Sequence, residues 1–169
     1  MTRHPGGSEQ TARMIALACL KDGARVLDLG AGDGDGVRLL RALGYDAVGV
    51  DRHAAPDAEE GDLLHTRFAD GTFDAVLSEC AFFLTGDVPG ALREAHRLLK
   101  PGGTLLLSDV FFENPEPPLE AAGFQLVQKE EQTMAWREYY LRSIWEGTAE
   151  TCPVPKGSCQ YWMLIGRKV

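Results

Sequence analysis

A glycine-rich segment near the start of the chain constrains the fold more than any other feature. Residues 30–36 are Gly-Ala-Gly-Asp-Gly-Asp-Gly, and they follow a short apolar run, Arg25–Leu29, that predicts a buried strand. Residues 37–43 then predict a helix that ends at Gly44. A strand, a glycine turn and a helix in this order are typical of open α/β sheets, which bind ligands at the carboxyl ends of their strands. We therefore expect a nucleoside-sized ligand beside this first strand.

The alternation of strand and helix patterns continues along the chain. Further strands are predicted at 46–51, 73–78, 104–109, 124–132 and 160–168, and further helices at 8–20, 89–99, 119–123 and 133–147. Ser8 is the predicted N-cap of the first helix, and loops are predicted at 100–103, 113–118 and 152–158. This order predicts an α/β fold, a doubly wound, Rossmann-like, mostly parallel sheet flanked by helices with an antiparallel C-terminal strand.

No composition shift divides the chain, so residues 1–169 are predicted to form a single domain. Within it, residues 1–20 form an N-terminal segment and helix. Residues 133–158 form an aromatic helix and a loop inserted before the last strand. Trp136, Tyr139, Tyr140 and Trp145 on that helix could cover an acceptor or simply pack on the sheet edge.

The charge of the glycine segment indicates what kind of ligand it can hold. A dinucleotide site needs G-x-G-x-x-G, but the third glycine would fall at Asp35 or Val37, and no GxxxxGK[ST] sequence occurs for a triphosphate. Asp28, Asp33 and Asp35 crowd the place where phosphates would lie. One like-charge contact at 4 Å costs roughly 4 kcal/mol at an effective dielectric near 20. The segment therefore favours a ligand that is not anionic.

Composition narrows the partners further. The chain has 25 acidic and 17 basic residues, a net charge of −8, which disfavours both nucleic acid and membrane surfaces as partners. We find no apolar run near the roughly 18 residues that span a bilayer and no secretory segment, so a cytoplasmic location is expected. Four scattered cysteines without a CxxC pair, and histidines without ligand spacing, predict no metal site.

Four motifs resemble those of class I S-adenosylmethionine-dependent methyltransferases. Residues 26–34 (VLDLGAGDG) resemble the family's first motif, whose cofactor carries a sulfonium and an ammonium group beside its carboxylate. Residues 48–51 (VGVD) resemble the end of its second strand, and residues 61–74 (GDLLHTRFADGTFD) its G-D-x5-F-x-D-G-x-F-D stretch. Residues 92–103 (LREAHRLLKPGG) resemble the helix and turn before its fifth strand. The four matches lie within residues 25–110, in the order the family has.

The resemblance implies a cofactor, S-adenosylmethionine, and a product, S-adenosylhomocysteine. It implies that Asp51 accepts hydrogen bonds from the ribose hydroxyls, that Asp62 contacts the adenine amino group and that Leu63 flanks the ring. Asp51 lies 19 residues after Gly32, close to the roughly 20 expected. The other implied cofactor contacts lie in the glycine loop and at strand ends: Asp28, Gly30, Ala31, Gly32, Asp33, Arg52 and Ser78.

The chain departs from the family between Asp51 and Asp62. Only ten residues separate them, where the family usually has a helix and a third strand. This stretch can hold neither properly, so we expect the fold to be trimmed around the third strand. The adenine side of the site would then be more open.

The resemblance implies methyl transfer to a small-molecule acceptor by in-line displacement, in which alignment supplies much of the acceleration. Candidate catalytic residues at the strand ends are Glu79, Cys80 and Asp109, although a carboxylate there often accepts backbone N–H bonds and a cysteine often fills space. The acceptor cannot be identified from the pattern, and the chain is expected to be a monomer or a homodimer. His4 and its neighbours could fold across the cofactor or form a loose tail.

Two alternatives remain open at this stage. The first is a non-catalytic cofactor-binding or regulatory domain on the same fold, which the trimmed middle favours. The second is a thiol-dependent arsenic methyltransferase, which would use Cys80, Cys152 and Cys159.

Overall fold

The computed structural model describes residues 4–112, 119–147 and 159–169. The helices are α1 (Gly7–Ala18), α2 (Asp35–Ala42), α3 (Val88–Leu98) and α4 (Thr133–Trp145), with short 3₁₀ turns at Phe82–Thr85 and Glu120–Ala122. The strands are β1 (Arg25–Leu29), β2 (Asp46–Asp51), β3 (Ala58–Glu60), β4 (Phe73–Glu79), β5 (Leu99–Phe112), β6 (Phe124–Glu131) and β7 (Cys159–Lys168).

All the strands of the described residues belong to one sheet, in the order β3-β2-β1-β4-β5-β7-β6. The five strands from β3 to β5 run parallel, whereas β7 is antiparallel to both of its neighbours. This confirms the predicted fold class. The chain order reverses between β1 and β4, and the carboxyl ends of parallel strands flanking such a reversal border a ligand crevice.

Two apolar layers cover the faces of the sheet. On one face α3 presents Ala91, Ala95 and Leu98 at helical spacing, and on the other α1 and α2 contribute Met14 and Val37. The side chains of β1 alternate between these layers, as expected for a strand buried on both faces. Full burial of each large side chain contributes roughly 1.5–3 kcal/mol, so the crevice lies on a rigid frame.

The connection between β2 and β3 is short, and the fold is trimmed around the third strand, as expected. No helix forms at residues 52–57, yet the three residues of β3 do pair in parallel with β2. Asp57 stabilises this short connection, because its carboxylate accepts hydrogen bonds from Arg38 (2.8 Å) and Arg41 (2.6 Å) on α2. The third strand is therefore reduced rather than absent.

Several element ends differ from the predicted ones, and two of these differences concern features singled out in the sequence. Ser8 is not the N-cap of α1, because the helix begins at Gly7 after a left-handed Gly6 that makes no side-chain cap. Residues 100–103, predicted as a loop that ends the preceding helix, belong to β5, whose pairing with β4 is irregular between Phe73 and Ala75. Residues 113–118 and 152–158, predicted as loops, lie outside the described residues. Within the described residues, no helix has the length and apolarity to cross a bilayer.

Candidate functional site

The glycine loop after β1 is held against β2 and open on its outer side. The amides of Gly30 and Ala31 both donate to the carbonyl oxygen of Val50, at 2.8 and 3.0 Å. Gly32 has φ 53°, and a Cβ built there would meet nothing within 4 Å. At Gly30, by contrast, a Cβ would lie 2.2 Å from the Ala81 Cβ. The loop therefore combines a tightly packed base with an unobstructed backbone at Gly32.

Asp51, at the end of β2, borders this open face. Its Oδ2 accepts a hydrogen bond from the amide of Gly32 (2.9 Å), and its Oδ1 accepts one from the amide of His53 (3.0 Å). An ionised carboxylate offers about four acceptor positions, so about two remain. With its side chain 20% exposed, Asp51 can accept hydrogen bonds from two hydroxyl groups of a ligand.

The groove on the side predicted to hold adenine is wide and shallow. Its volume is about 560 Å³, and the residues that line it are Arg52, Glu60, Gly61, Asp62, Leu64 and Thr85. Leu63 is buried beneath the loop, within 3.3 Å of a Cβ built at Gly30, so Leu64 is the leucine that lines the groove. The amide of Leu64 donates to Asp62 Oδ1 (2.9 Å) and orients that carboxylate. Sequence reasoning missed Leu64, Glu60 and Thr85.

Asp28 lies under the loop, almost completely buried. The lack of a side chain at Gly36 leaves room for it, because a Cβ there would lie 2.3 Å from Asp28 Oδ2. Burial raises the pKa of Asp28 to about 8, and the nearby carboxyl groups of Glu79 and Asp51 add to the shift. Without a ligand this carboxyl is largely protonated at neutral pH.

The glycine loop is consequently less negative than its sequence suggests. Asp28 is mostly neutral in the free protein, and Asp35 forms an ion pair with Arg38 on the first turns of α2. Asp33 is exposed on the outer side of the loop. The predicted preference against phosphates therefore depends on a titrating group, which a cationic ligand would return to its ionised form.

At the end of β4, the side chains of Ser78 and Cys80 form hydrogen bonds with neighbouring strands. Ser78 is completely buried, and its hydroxyl donates to the carbonyl oxygen of Leu29 (2.7 Å), which ties β4 to the end of β1. Cys80 has a left-handed backbone (φ 53°), its amide donates to Ser108 O (2.8 Å), and its Sγ lies 3.4 Å from the Tyr161 hydroxyl. Such a backbone is uncommon for a cysteine and turns the chain sharply between β4 and the following 3₁₀ turn.

Glu79 is the centre of a polar cluster that spans three parts of the chain. Thr11 on α1 donates to its Oε2 (2.8 Å), Ser108 on β5 donates to its Oε1 (3.3 Å), and His4 Nε2 lies 3.6 Å from Oε2. Burial raises the pKa of Glu79, and the charge of His4 and the two hydroxyl hydrogen bonds oppose that shift. No local pattern could have joined His4 or Thr11 to Glu79, because 75 and 68 residues separate them along the chain.

Asp109, the third catalytic candidate, holds the backbone. It is almost completely buried and accepts hydrogen bonds from the amides of Phe82 (2.9 Å), Phe83 (3.2 Å) and Val110 (2.7 Å). Burial raises its pKa to about 7, and these bonds oppose the shift. Its oxygens fix the 3₁₀ turn that follows Cys80, which is a positioning role.

The aromatic helix and the cysteines meet in one small cluster. Trp136 packs with Val110 and Tyr161, and Cys80 and Cys159 border them. Trp136 also stacks on Tyr140 with centroids 5.8 Å apart, whereas Trp145 is 92% exposed. Part of the aromatic helix therefore packs on the sheet. Cys152 lies outside the described residues, and the described ones contain no group of three side chains suited to a metal ion.

A glycine loop at the end of β1, an acid at the end of β2 and a reversal of strand order define a Rossmann-like nucleoside-binding domain. Comparison with known proteins agrees. Residues 27–107 match the family described as methyltransferase domain. This match supports the resemblance of the chain's motifs to those of class I S-adenosylmethionine-dependent methyltransferases.

Individual relatives show how far the similarity extends. A demethylmenaquinone methyltransferase of Thermus thermophilus is 38% identical over 149 residues, covering 78% of this chain and 61% of that protein. An arsenite methyltransferase of Aquipseudomonas alcaligenes is 36% identical over 123 residues, covering 57% of this chain and 36% of the relative.

A solved structure shares the fold. The phosphoethanolamine N-methyltransferase 2 of Haemonchus contortus, in complex with phosphomonomethylethanolamine and S-adenosylhomocysteine, superposes with a TM-score of 0.73 at 17% identity. The match covers 98% of this chain and 53% of that one. Nearly all of this chain therefore shares its fold with about half of that protein. In sequence, this chain spans about a third of the arsenite methyltransferase and about three fifths of the demethylmenaquinone methyltransferase.

Proposed function

We propose that this protein binds S-adenosylmethionine along the carboxyl ends of β1 and β2 and transfers its methyl group to a small-molecule acceptor. The observation that carries the proposal is the pairing of an open backbone at Gly32 with a partly satisfied carboxylate at Asp51. That pairing suits a ribose, and it offers no cation for a phosphate. The names of the three proteins described above, each a methyltransferase, support it.

The residues fit the cofactor group by group. Asp51 would accept hydrogen bonds from the ribose hydroxyls. The open backbone at Gly32, held in place by the packed Gly30 and Ala31, would let the nucleoside approach. Asp62, with Leu64 beside it, would contact the adenine at the open groove, where Arg52 also lies. Asp28 and Asp33 would offset the positive charges of the methionine end. Leu63 and Ser78 would support the site from below.

When bound, S-adenosylmethionine supplies an activated methyl group on sulfur, which an acceptor takes by in-line displacement. The chain's own residues hold the loop, align the two ligands and exclude water, and alignment of this kind can supply several kcal/mol of the barrier reduction. The sheet frame beneath Glu79 and Asp28 keeps that alignment fixed.

Replacing Asp51 with alanine is expected to weaken S-adenosylmethionine binding by about 1.5–3 kcal/mol, because hydrogen bonds to a charged acceptor are lost. Titration calorimetry measures this change. Asp46→Ala, at the opposite end of the same strand, is the matched control and should bind normally. Equal affinity in a folded Asp51→Ala protein would contradict the ribose assignment.

The proposed activity is tested by calorimetry with S-adenosylmethionine beside NADH, followed by incubation of the protein with methyl-labelled cofactor and a metabolite extract. We expect binding of the first compound alone and a labelled small-molecule product. Binding of NADH instead would overturn the proposal. Binding without any labelled product would favour the non-catalytic alternative.

Other predictions stay open to their own tests. These are the single domain across residues 1–169, the cytoplasmic location, the absence of nucleic-acid and membrane partners and the monomeric or dimeric state. The one continuous sheet supports the first of them.

A further inference from the structure

The buried carboxylate of Glu79, at the end of β4, is bound by side chains rather than by backbone amides. The Glu79 side chain is 8% exposed, and both of its oxygens accept hydrogen bonds from hydroxyl groups, Thr11 on one and Ser108 on the other. Neither partner is a backbone amide, in contrast to Asp109, which binds three. Glu79 is therefore held by side chains that can pass on a proton.

His4 connects this cluster to solvent. Its Nε2 lies 3.6 Å from Glu79 Oε2 and 3.5 Å from Thr11 Oγ1, and its side chain is 15% exposed, about twice as much as that of Glu79. Thr11 can accept a hydrogen bond from His4 while it donates one to Glu79. The N-terminal segment thus lies against the site and supplies an imidazole that can accept and donate a proton.

Apart from His4, no positively charged side chain among the described residues faces Glu79. The other titratable groups that face it are Asp28 from β1 and Tyr161 from β7, neither of which is positive. Through Cys80, which contacts the Tyr161 hydroxyl, the cluster borders an aromatic wall, of which Phe83 and Phe112 are half-buried and Trp136 and Tyr161 are buried. Carboxylates and aromatic faces together are a common way to bind an ammonium group.

We propose that Glu79 is the proton acceptor for an amine substrate, and that His4, through Thr11, takes the proton on to solvent. This inference rests on the proposed methyl transfer and adds the class of acceptor to it. A primary or secondary amine is the acceptor, attracted as an ammonium by Glu79 and the aromatic wall.

The proton balance of this step is simple. The bound ammonium loses one proton to Glu79, which frees the lone pair on nitrogen. That lone pair forms the new N–C bond while the C–S bond of the cofactor breaks and its electron pair stays on sulfur. The product leaves as an N-methylammonium, and the proton on Glu79 returns to solvent by way of His4.

The raised pKa of Glu79 is consistent with this role, because a buried carboxylate is a stronger proton acceptor than an exposed one. The nearby His4 limits that rise, since its positive charge favours the ionised carboxylate.

The first experiment compares Glu79→Gln with Glu130→Gln. Both carboxylates hold α1, Glu79 through Thr11 and Glu130 through Arg13 (2.6 Å), so Glu130→Gln controls for the loss of a contact to this helix. We expect Glu79→Gln to lower kcat by about 100-fold or more and to leave the Kd for S-adenosylmethionine within about threefold. Glu130→Gln should keep wild-type kcat. Equal kcat in the Glu79 variant would overturn the role of Glu79.

The second experiment uses pH. The rate of the wild type should rise with pH as Glu79 ionises, and His4→Gln should move this rise to higher pH, because the charge that lowers the pKa of Glu79 is gone. We expect a shift of roughly half a pH unit or more. A profile that keeps its midpoint in His4→Gln would exclude the proton relay.

The acceptor class is read from the product. Carbon-13 methyl-labelled S-adenosylmethionine, incubated with a metabolite extract of the source cells, should yield a methyl signal at the N-methyl chemical shift. A signal typical of O-methyl, S-methyl or C-methyl groups would overturn the amine assignment and leave the methyl transfer intact. No labelled product, with the cofactor bound, would contradict the proposed function itself.

Discussion

Valine in place of Gly32 is expected to abolish detectable binding of S-adenosylmethionine, a loss of at least about 3 kcal/mol. A Cβ at this position points into the open space beside Asp51, so its methyl groups would occupy the volume that the ribose needs. The amide of Gly32 would also lose its place against the Asp51 carboxylate. Titration calorimetry with S-adenosylmethionine measures the loss directly.

Gly23→Val is the matched control for this substitution. Gly23 also has a left-handed backbone (φ 68°) and nothing within 4 Å of its Cβ position, but it lies between α1 and β1, away from the crevice. A β-branched residue at such a backbone costs about 1–3 kcal/mol of stability at either site. Both variants should therefore unfold at similarly lowered temperatures, and Gly23→Val should still bind. Normal binding by Gly32→Val would show that the cofactor lies elsewhere.

Asparagine in place of Asp28 is expected to increase stability at alkaline pH and to weaken cofactor binding. The pKa of Asp28 is about 8 in the folded protein and near 3.8 in the unfolded chain, so between these values the folded state holds the extra proton. Stability of the wild type therefore falls as pH rises from about 4 to 8. Asparagine cannot ionise and avoids this loss, which should be about 1–3 kcal/mol at pH 9.

The same substitution also tests whether cofactor binding is coupled to deprotonation of Asp28. A cationic ligand favours the ionised form of Asp28, so S-adenosylmethionine should bind more tightly as pH rises toward 8 and should release a proton. Calorimetry in buffers of different ionisation enthalpy detects that proton. Urea unfolding at pH 5 and pH 9 gives the stability, with the exposed Asp22→Asn as control. Equal stability of wild type and Asp28→Asn at both pH values would contradict the buried charge.

The parts of the site that could be predicted are those set by short-range sequence. The glycine loop, Asp28 and Asp51 follow strands whose apolar runs are unmistakable, and strand ends in a parallel sheet fall on one edge. The sequence could not show which of Leu63 and Leu64 lines the groove, because a shift of the turn by one residue would bury the other side chain. The three residues of β3, Ala-Glu-Glu, show no alternation of apolar and polar side chains by which a strand could be predicted.

The cluster around Glu79 was beyond local patterns for a different reason. His4 lies in a segment with neither a strand nor a helix pattern, and Thr11 lies on the buried face of a helix, where a hydroxyl is normally satisfied by its own backbone. Only the packing of α1 against the end of β4 brings these groups to Glu79. The charge of the glycine loop could not be predicted from local sequence either, because the burial of Asp28 and the ion pair of Asp35 form only in the folded structure.

The reduced connection between β2 and β3 has a consequence for turnover. A shallow groove offers the purine few contacts, so most of the attraction must come from the ribose and the amino-acid end. Spent cofactor differs from fresh cofactor by one methyl group and one positive charge, and the proposed binding mode places that charge near Asp28. In the proposed binding mode, discrimination between the two is mainly electrostatic, and we expect the by-product, which lacks the sulfonium charge, to dissociate more readily than the compound that replaces it.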